Sequence, residues 1–138
     1  MSKEIRISKG LDIRLVGAAA LSITDAIKSN FYTLRPDDFH GVTPKLAVKV
    51  GAELKAGETV FFDKSNEAIK FVTPVSGEIL EITRGEKRRI LEIKIKADKK
   101  ISFITHETPK LKTAQADEIK SLLLASGCWP FIKQRPYD

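Results

Sequence analysis

Cysteine is almost missing from this chain. Cys128 is the only one among 138 residues. That excludes an intramolecular disulfide framework, a thiolate metal cage and an iron–sulfur cluster, and it fits a reducing compartment. Histidine is nearly as scarce. His40 and His106 are far apart, and no serine or cysteine has a placed partner, so no catalytic triad is legible. Asp37, Asp38 and His40 share the turn-forming loop 37–45, but no second cluster completes a metal site, and loop solvation accounts for them. No glycine-rich fingerprint follows a strand, so no nicotinamide site is visible. Long apolar runs are missing too. The run from Val16 to Leu21 is too short to cross a bilayer, and Met1-Ser2-Lys3-Glu4 leads into no apolar core of signal-peptide length.

What the chain does have is alternation. Ile5 and Ile7, then Leu11, Ile13 and Leu15, alternate with polar residues around Lys9-Gly10 and predict short N-terminal strands. Residues 17–30 read as loop with a helical turn at 24–28. Phe31 to Leu34 predicts a strand stopped by Arg35-Pro36. Leu46, Val48 and Val50 predict another. The stretch Phe61 to Gly85 organises the rest: strand, tight connection, strand, then a corner at Pro74-Val75-Ser76-Gly77, then a strand carrying Ile79 and Ile82. Pro74 belongs at a strand end because it has no N–H to give to a ladder. Gly77 can take φ > 0 or admit a close neighbour. Val60 and Phe62 are read on one face, with Phe61 and Asp63 on the other. Leu91, Ile93 and Ile95 predict one further strand, and Ile101 with Phe103 a last one. Repeated strand, glycine turn and strand units point to a small, pseudo-symmetric β sandwich.

The character changes after Pro109. Thr113 is a candidate N-cap, with Asp117 and Glu118 favourably placed in the first turn. Ile119, Leu122 and Leu123 form the apolar face, Gly127 is the stop, and Pro130 can open a second short helix. Trp129, Phe131 and Tyr137 then interleave with Lys133 and Arg135. This gives an apolar yet cationic face at the end of the chain. We therefore divide the chain into a β domain at 1–108 and a segment at 109–138 that reads as a helix leading into a following domain.

Lys and Arg total 24 against 18 Asp and Glu, for a formal charge of +6. A moderately basic chain admits an anionic partner. Arg84, Lys87, Arg88 and Arg89 crowd one turn and make a candidate docking site. No aromatic residue interleaves with them, which argues against nucleic acid.

Thr73-Pro74-Val75-Ser76-Gly77 and the glycine-punctuated repeat resemble the barrel-sandwich hybrid fold of biotinyl and lipoyl carrier domains. On that likeness Asp63-Lys64 would stand at a hairpin tip and Lys64 would be the modified lysine. The connection from Lys64 to Pro74 is longer than the carrier pattern. A second resemblance covers nearly the whole chain. It rests on Lys9-Gly10-Leu11-Asp12-Ile13, Val48-Lys49-Val50-Gly51, Asp63-Lys64, Val72 to Gly77, Arg84 to Arg88, and the tail from Ser126 to Tyr137. These look like the A subunits of the sodium-translocating NADH:quinone oxidoreductases. Glu67-Ala68 stands where that family usually has a glycine, and Cys128 where it usually has leucine. The resemblance implies a mostly β fold, a small barrel-sandwich hybrid with a C-terminal helical segment, and a longer protein. It also implies a peripheral position on the cytoplasmic face of a bacterial inner membrane, with other subunits of the complex as partners. Quinone would be a substrate of the complex, while NADH, flavin and iron–sulfur centres belong to other subunits and no cofactor to this piece. The candidate quinone-proximal or partner face is Trp129, Phe131, Lys133, Arg135 and Tyr137.

Overall fold

In a computed structural model, residue 10, residues 16–110 and residues 112–134 are described. Among the described residues, seven strands form two antiparallel sheets. One sheet has the order β1-β7-β6-β3, and the other β2-β4-β5. The strands are β1 (Phe31–Leu34), β2 (Pro44–Leu46), β3 (Glu53–Leu54), β4 (Thr59–Asp63), β5 (Lys70–Val72), β6 (Gly77–Arg84) and β7 (Ile90–Ala97), followed by helix α1 (Ala116–Ala125). The core between the sheets is Val60, Phe61, Phe71, Val75, Ile79, Ile90, Ile93 and Ile95. The fold is thus the mostly β architecture expected, with one short C-terminal helix. The N-terminal strands read at residues 5–8 and 11–15 lie outside the described residues.

The core departs from simple alternation at three bulges, each of which inserts an unpaired residue and flips the pattern. In β4 the register against β5 shifts between Thr59 and Phe61. Val60 and Phe61 are consequently both buried, while Phe62 turns outward under the Lys45 ammonium, 5.1 Å from its ring. Val60 and Phe62 therefore do not share a face as the alternation suggested. In β6 a shift between Ile79 and Glu81 lets Ile79 and Ile82 both face inward although they are three apart. A third shift, between Thr83 and Arg84, puts Ile90 rather than Leu91 in the core.

Other expectations change for identifiable reasons. The predicted strand through Val48 and Val50 ends at Leu46. The Ala47 amide still bonds the Val60 carbonyl of one sheet, but the Gly51 amide bonds Ile79 of the other, at 2.8 Å. Residues 47–51 are thus the crossover between sheets. The predicted strand at Ile101 and Phe103 shrinks to one parallel bridge from Ala56 to Phe103, because the Gly57 amide turns away to the Thr73 carbonyl. Residues 24–28 form no helical turn. Leu21, Ile23 and Ile27 are fully exposed, so a helix there would have no apolar surface to pack on. Helix α1 begins after Gln115, not Thr113, whose hydroxyl donates to the Lys110 carbonyl. Gly127 ends the helix as expected, at φ 71°, with the Cys128 amide reaching back to the Leu123 carbonyl at 3.0 Å. Pro130 lies in a 3-10 turn, Trp129–Phe131.

Gly77 opens β6 at φ 152° and pairs with Leu54 on one side and Ala97 on the other. A Cβ there would overlap the Lys96 carbonyl oxygen. Gly77→Val is expected to destabilise the fold by about 1–3 kcal/mol from backbone strain alone, with the displaced carbonyl adding to it. Denaturant unfolding checks this: an unchanged midpoint would show that the corner tolerates a side chain.

Candidate functional site

The described tail folds back onto the three-stranded sheet. Gly127 is buried against Val72 of β5, so close that a Cβ would lie 2.5 Å from the Val72 Cγ1. This contact sets the 3-10 turn Trp129–Phe131 beside β5. A cleft of about 410 Å³ opens between them, walled by Phe39, Val42, Ile69, Phe71, Trp129 and Pro130, with His40, Asp63 and Lys133 among its polar lining.

Aromatic rings link the cleft to the core. Phe61 and Phe71 stack with centroids 4.5 Å apart and planes 9° from parallel. Phe39 tilts against Phe71 at 4.5 Å, and Phe131 meets the edge of Phe39 at 6.0 Å. Such edge and offset contacts are the geometries aromatic quadrupoles prefer. The ring series runs from fully buried Phe61 to Phe131, which is 68% exposed. Trp129 is half-buried and carries the Lys120 ammonium 5.6 Å from its ring.

Asp63 holds the rim. It is buried at the end of β4. Its carboxylate accepts the Thr43 amide at 3.1 Å and the Ser65 amide at 3.2 Å, and the Ser65 hydroxyl also donates to it. Burial alone would raise its pKa, but the bonds from the Ser65 hydroxyl, the Ser65 amide and the Thr43 amide outweigh that and hold it below the ordinary carboxylate value. Asp63 therefore ties the 39–45 loop to the hairpin as a fixed anion. Lys64 is exposed in the same turn, its amide bonded to the Thr43 carbonyl at 2.8 Å.

Trp129, Phe131 and Lys133, read from the sequence as one face, do come together at or beside the cleft. Arg135 and Tyr137 lie outside the described residues. The basic residues Arg84, Lys87, Arg88 and Arg89 belong to a different place, the β6–β7 turn. Sequence reasoning missed Phe39, Phe71 and Asp63 as cleft residues. Phe39 was the available signal, a large aromatic inside a loop otherwise built of turn residues. Among the described residues no group of three or more metal-ligating side chains converges, and no helix is long and apolar enough to cross a membrane.

Two curled antiparallel sheets around a shared core, joined through a tight glycine corner, define a barrel-sandwich hybrid domain. Comparison with known proteins agrees: residues 5–98 match the family described as the NqrA N-terminal barrel-sandwich hybrid domain, and the chain belongs to it. Its relatives are A subunits of Na(+)-translocating NADH-quinone reductases. The chain is 34% identical to that of Vibrio vulnificus (strain YJ016) over 136 residues, covering 97% of this chain and 30% of the relative. It is 33% identical to that of Marinomonas sp. (strain MWYL1) over 135 residues, covering 96% and 30%. The Haemophilus influenzae (strain PittEE) protein is 34% identical over 136 residues, covering 97% of this chain and 30% of the relative. The chain thus spans about 30% of the length of these curated relatives, and it is homologous to a region of one subunit of an enzyme complex.

Two outcomes follow from this geometry. Asp63→Ala leaves the Thr43 and Ser65 amides without their carboxylate and is expected to cost about 1.5–3 kcal/mol near neutral pH. Because the folded pKa of Asp63 lies below the unfolded value near 3.8, its stabilisation is full above that value and lost as pH falls through the folded pKa. The gap between parent and variant in urea unfolding should therefore close on acidification; a gap independent of pH would assign the effect to packing. Gly127→Ala should loosen the tail, raising hydrogen exchange at residues 116–133 about tenfold while β6 and β7 stay protected, since a strained helix cap costs on the order of 1–3 kcal/mol. Equal rates in variant and parent would show that the tail does not depend on the Val72 contact.

Proposed function

We propose that this chain is the N-terminal part of the peripheral A subunit of a sodium-pumping NADH:quinone oxidoreductase. In this reading it contributes to assembly and to the quinone end of electron transfer, on the cytoplasmic face of a bacterial inner membrane. Other subunits of the complex are its partners, and they carry the NADH site, flavin and iron–sulfur centres. No redox cofactor resides in this chain.

The observation that carries the reading is the aromatic cleft between β5 and the Trp129–Phe131 turn. A quinone headgroup is a flat ring with two carbonyl oxygens at opposite edges. It needs apolar walls for its faces and donors for its edges. Phe39, Phe71 and Trp129 supply walls, and His40 and Lys133 are donors in the same lining. Asp63 is already engaged by Thr43 and Ser65, so it keeps the loop in place and does not compete for the ring. The protein's part is to bind and orient the headgroup, while electrons arrive from a centre on another subunit.

The carrier alternative would make Lys64 a swinging arm. Membership of the family matched over residues 5–98 gives that role no support. Intact mass of the natively expressed protein separates the two readings: an unmodified mass is expected, whereas a lipoyl or biotinyl adduct would establish the carrier.

The cleft is tested in the assembled complex. Trp129→Leu should raise KM for quinone about tenfold, the effect of roughly 1.4 kcal/mol of lost binding, with NADH oxidation by an artificial acceptor unchanged. A photoreactive quinone should label residues 39–42 or 129–133. Unaltered KM together with labelling elsewhere would remove the quinone from this cleft.

A further inference from the structure

A second cavity, of about 390 Å³, lies on the other side of the 39–45 loop and is lined by Thr43, Pro44, Lys45, Leu46, Arg84, Arg88, Arg89 and Ile90. Three of its four cations are arginines, whose planar forks suit tetrahedral oxyanions better than lysine's point charge does. Arg89 is paired with Asp37 at 2.7 Å and Lys45 with Glu67 at 2.9 Å. Among the described residues, Arg84 and Arg88 have no carboxylate partner. Arg84 instead spans the turn and donates to the Arg88 carbonyl at 3.1 Å. The turn itself is held in an unusual shape: Lys87 and Arg88 are consecutive non-glycine residues at φ 53° and 62°. Strain of that kind persists at ligand clamps.

We propose that this cavity docks the phosphate of an anionic phospholipid headgroup and thereby seats the domain on a membrane surface. The lining combines what such a ligand requires, guanidinium groups accompanied by the apolar residues Pro44, Leu46 and Ile90. An acidic peptide strand is the other anionic occupant to consider. β2 forms the open edge of its sheet but begins with Pro44, which has no N–H to give, so strand addition there is blunted. The site does not include the aromatic cleft, and neither assignment depends on the other.

The test is sedimentation of the full-length protein with vesicles of phosphatidylcholine, with or without one part in four of phosphatidylglycerol. Binding should require phosphatidylglycerol. Arg88→Gln, which leaves the Arg84 bond to the backbone carbonyl in place, should weaken it about fivefold, and Arg84→Gln with Arg88→Gln about 25-fold, from the attraction of each basic residue to an anionic surface. Lys99→Gln with Lys100→Gln, remote from this cavity's lining, should change it less than twofold, with thermal unfolding confirming that each variant is folded. Equal losses for both double variants would show diffuse charge attraction and overturn the proposal. So would vesicle binding that persists in the arginine variants while assembly with the other subunits fails, which would assign the cavity to an acidic protein segment.

Discussion

The structure depends on one close approach, that of the β7 backbone to Gly77. At this residue the chain leaves the three-stranded sheet and enters the centre of the four-stranded one, pairing at once with β3 and β7. All of the passage from Thr73 to Gly77 except Pro74 is buried, so its polar groups must find partners inside the protein. The Thr73 hydroxyl donates to the Val75 carbonyl at 2.6 Å, and the Ser76 hydroxyl donates to Asp98 at 2.7 Å while accepting the Ser102 amide at 3.0 Å. Among the described residues no buried side-chain polar atom lacks a partner. A corner satisfied in this way can be buried without the penalty that unpaired polar groups carry, and the two sheets can then close over Val60, Phe61, Ile79, Ile93 and Ile95.

From that core the aromatic series leads outward to the cleft, and its two walls differ in how firmly they are held. Phe71 sits in a strand, is almost fully buried and stacks on Phe61. Trp129 follows a helix with no buried residue, attached mainly through Gly127 and Phe131. Stability is low where few apolar contacts are buried. The fixed wall is therefore suited to positioning a ring and the looser wall to admitting it. The Asp63 hub, on the fixed side, also connects the cleft to the basic cavity, because the loop it fastens at Thr43 separates the two.

Much of the fold was legible because its signals are local. Pro36 stops a strand by restricting the residue before it, Pro74 ends one for want of an N–H, Gly127 stops a helix, and Ile93 and Ile95 alternate as a half-buried strand must. The family resemblance was legible for a related reason: glycine and proline at fixed spacings mark turns that only certain backbones need. Val48 and Val50 misled because their alternation continues that of Leu46, yet the chain is crossing between sheets there, with Val48 half-buried against the core and Val50 exposed. Thr113 misled because the helix begins only after Gln115, and the Thr113 hydroxyl belongs instead to the preceding turn, where it donates to the Lys110 carbonyl.

By itself, the sequence determined a mostly β chain of moderately positive charge, one corner glycine, a terminal helix with aromatics beyond it, and a cluster of arginines at one turn. Each of these follows from neighbours a few residues apart. Only the tertiary structure decided which residues line the core, because one extra residue at each of three bulges reverses the face of everything after it. It alone placed Phe39 and Phe71 opposite Trp129, and turned Asp63 from half of a hairpin-tip pair into the buried anion that fastens the loop. Those are contacts between residues tens of positions apart, set by how two sheets close on a shared core, and no local pattern in the chain encodes that distance.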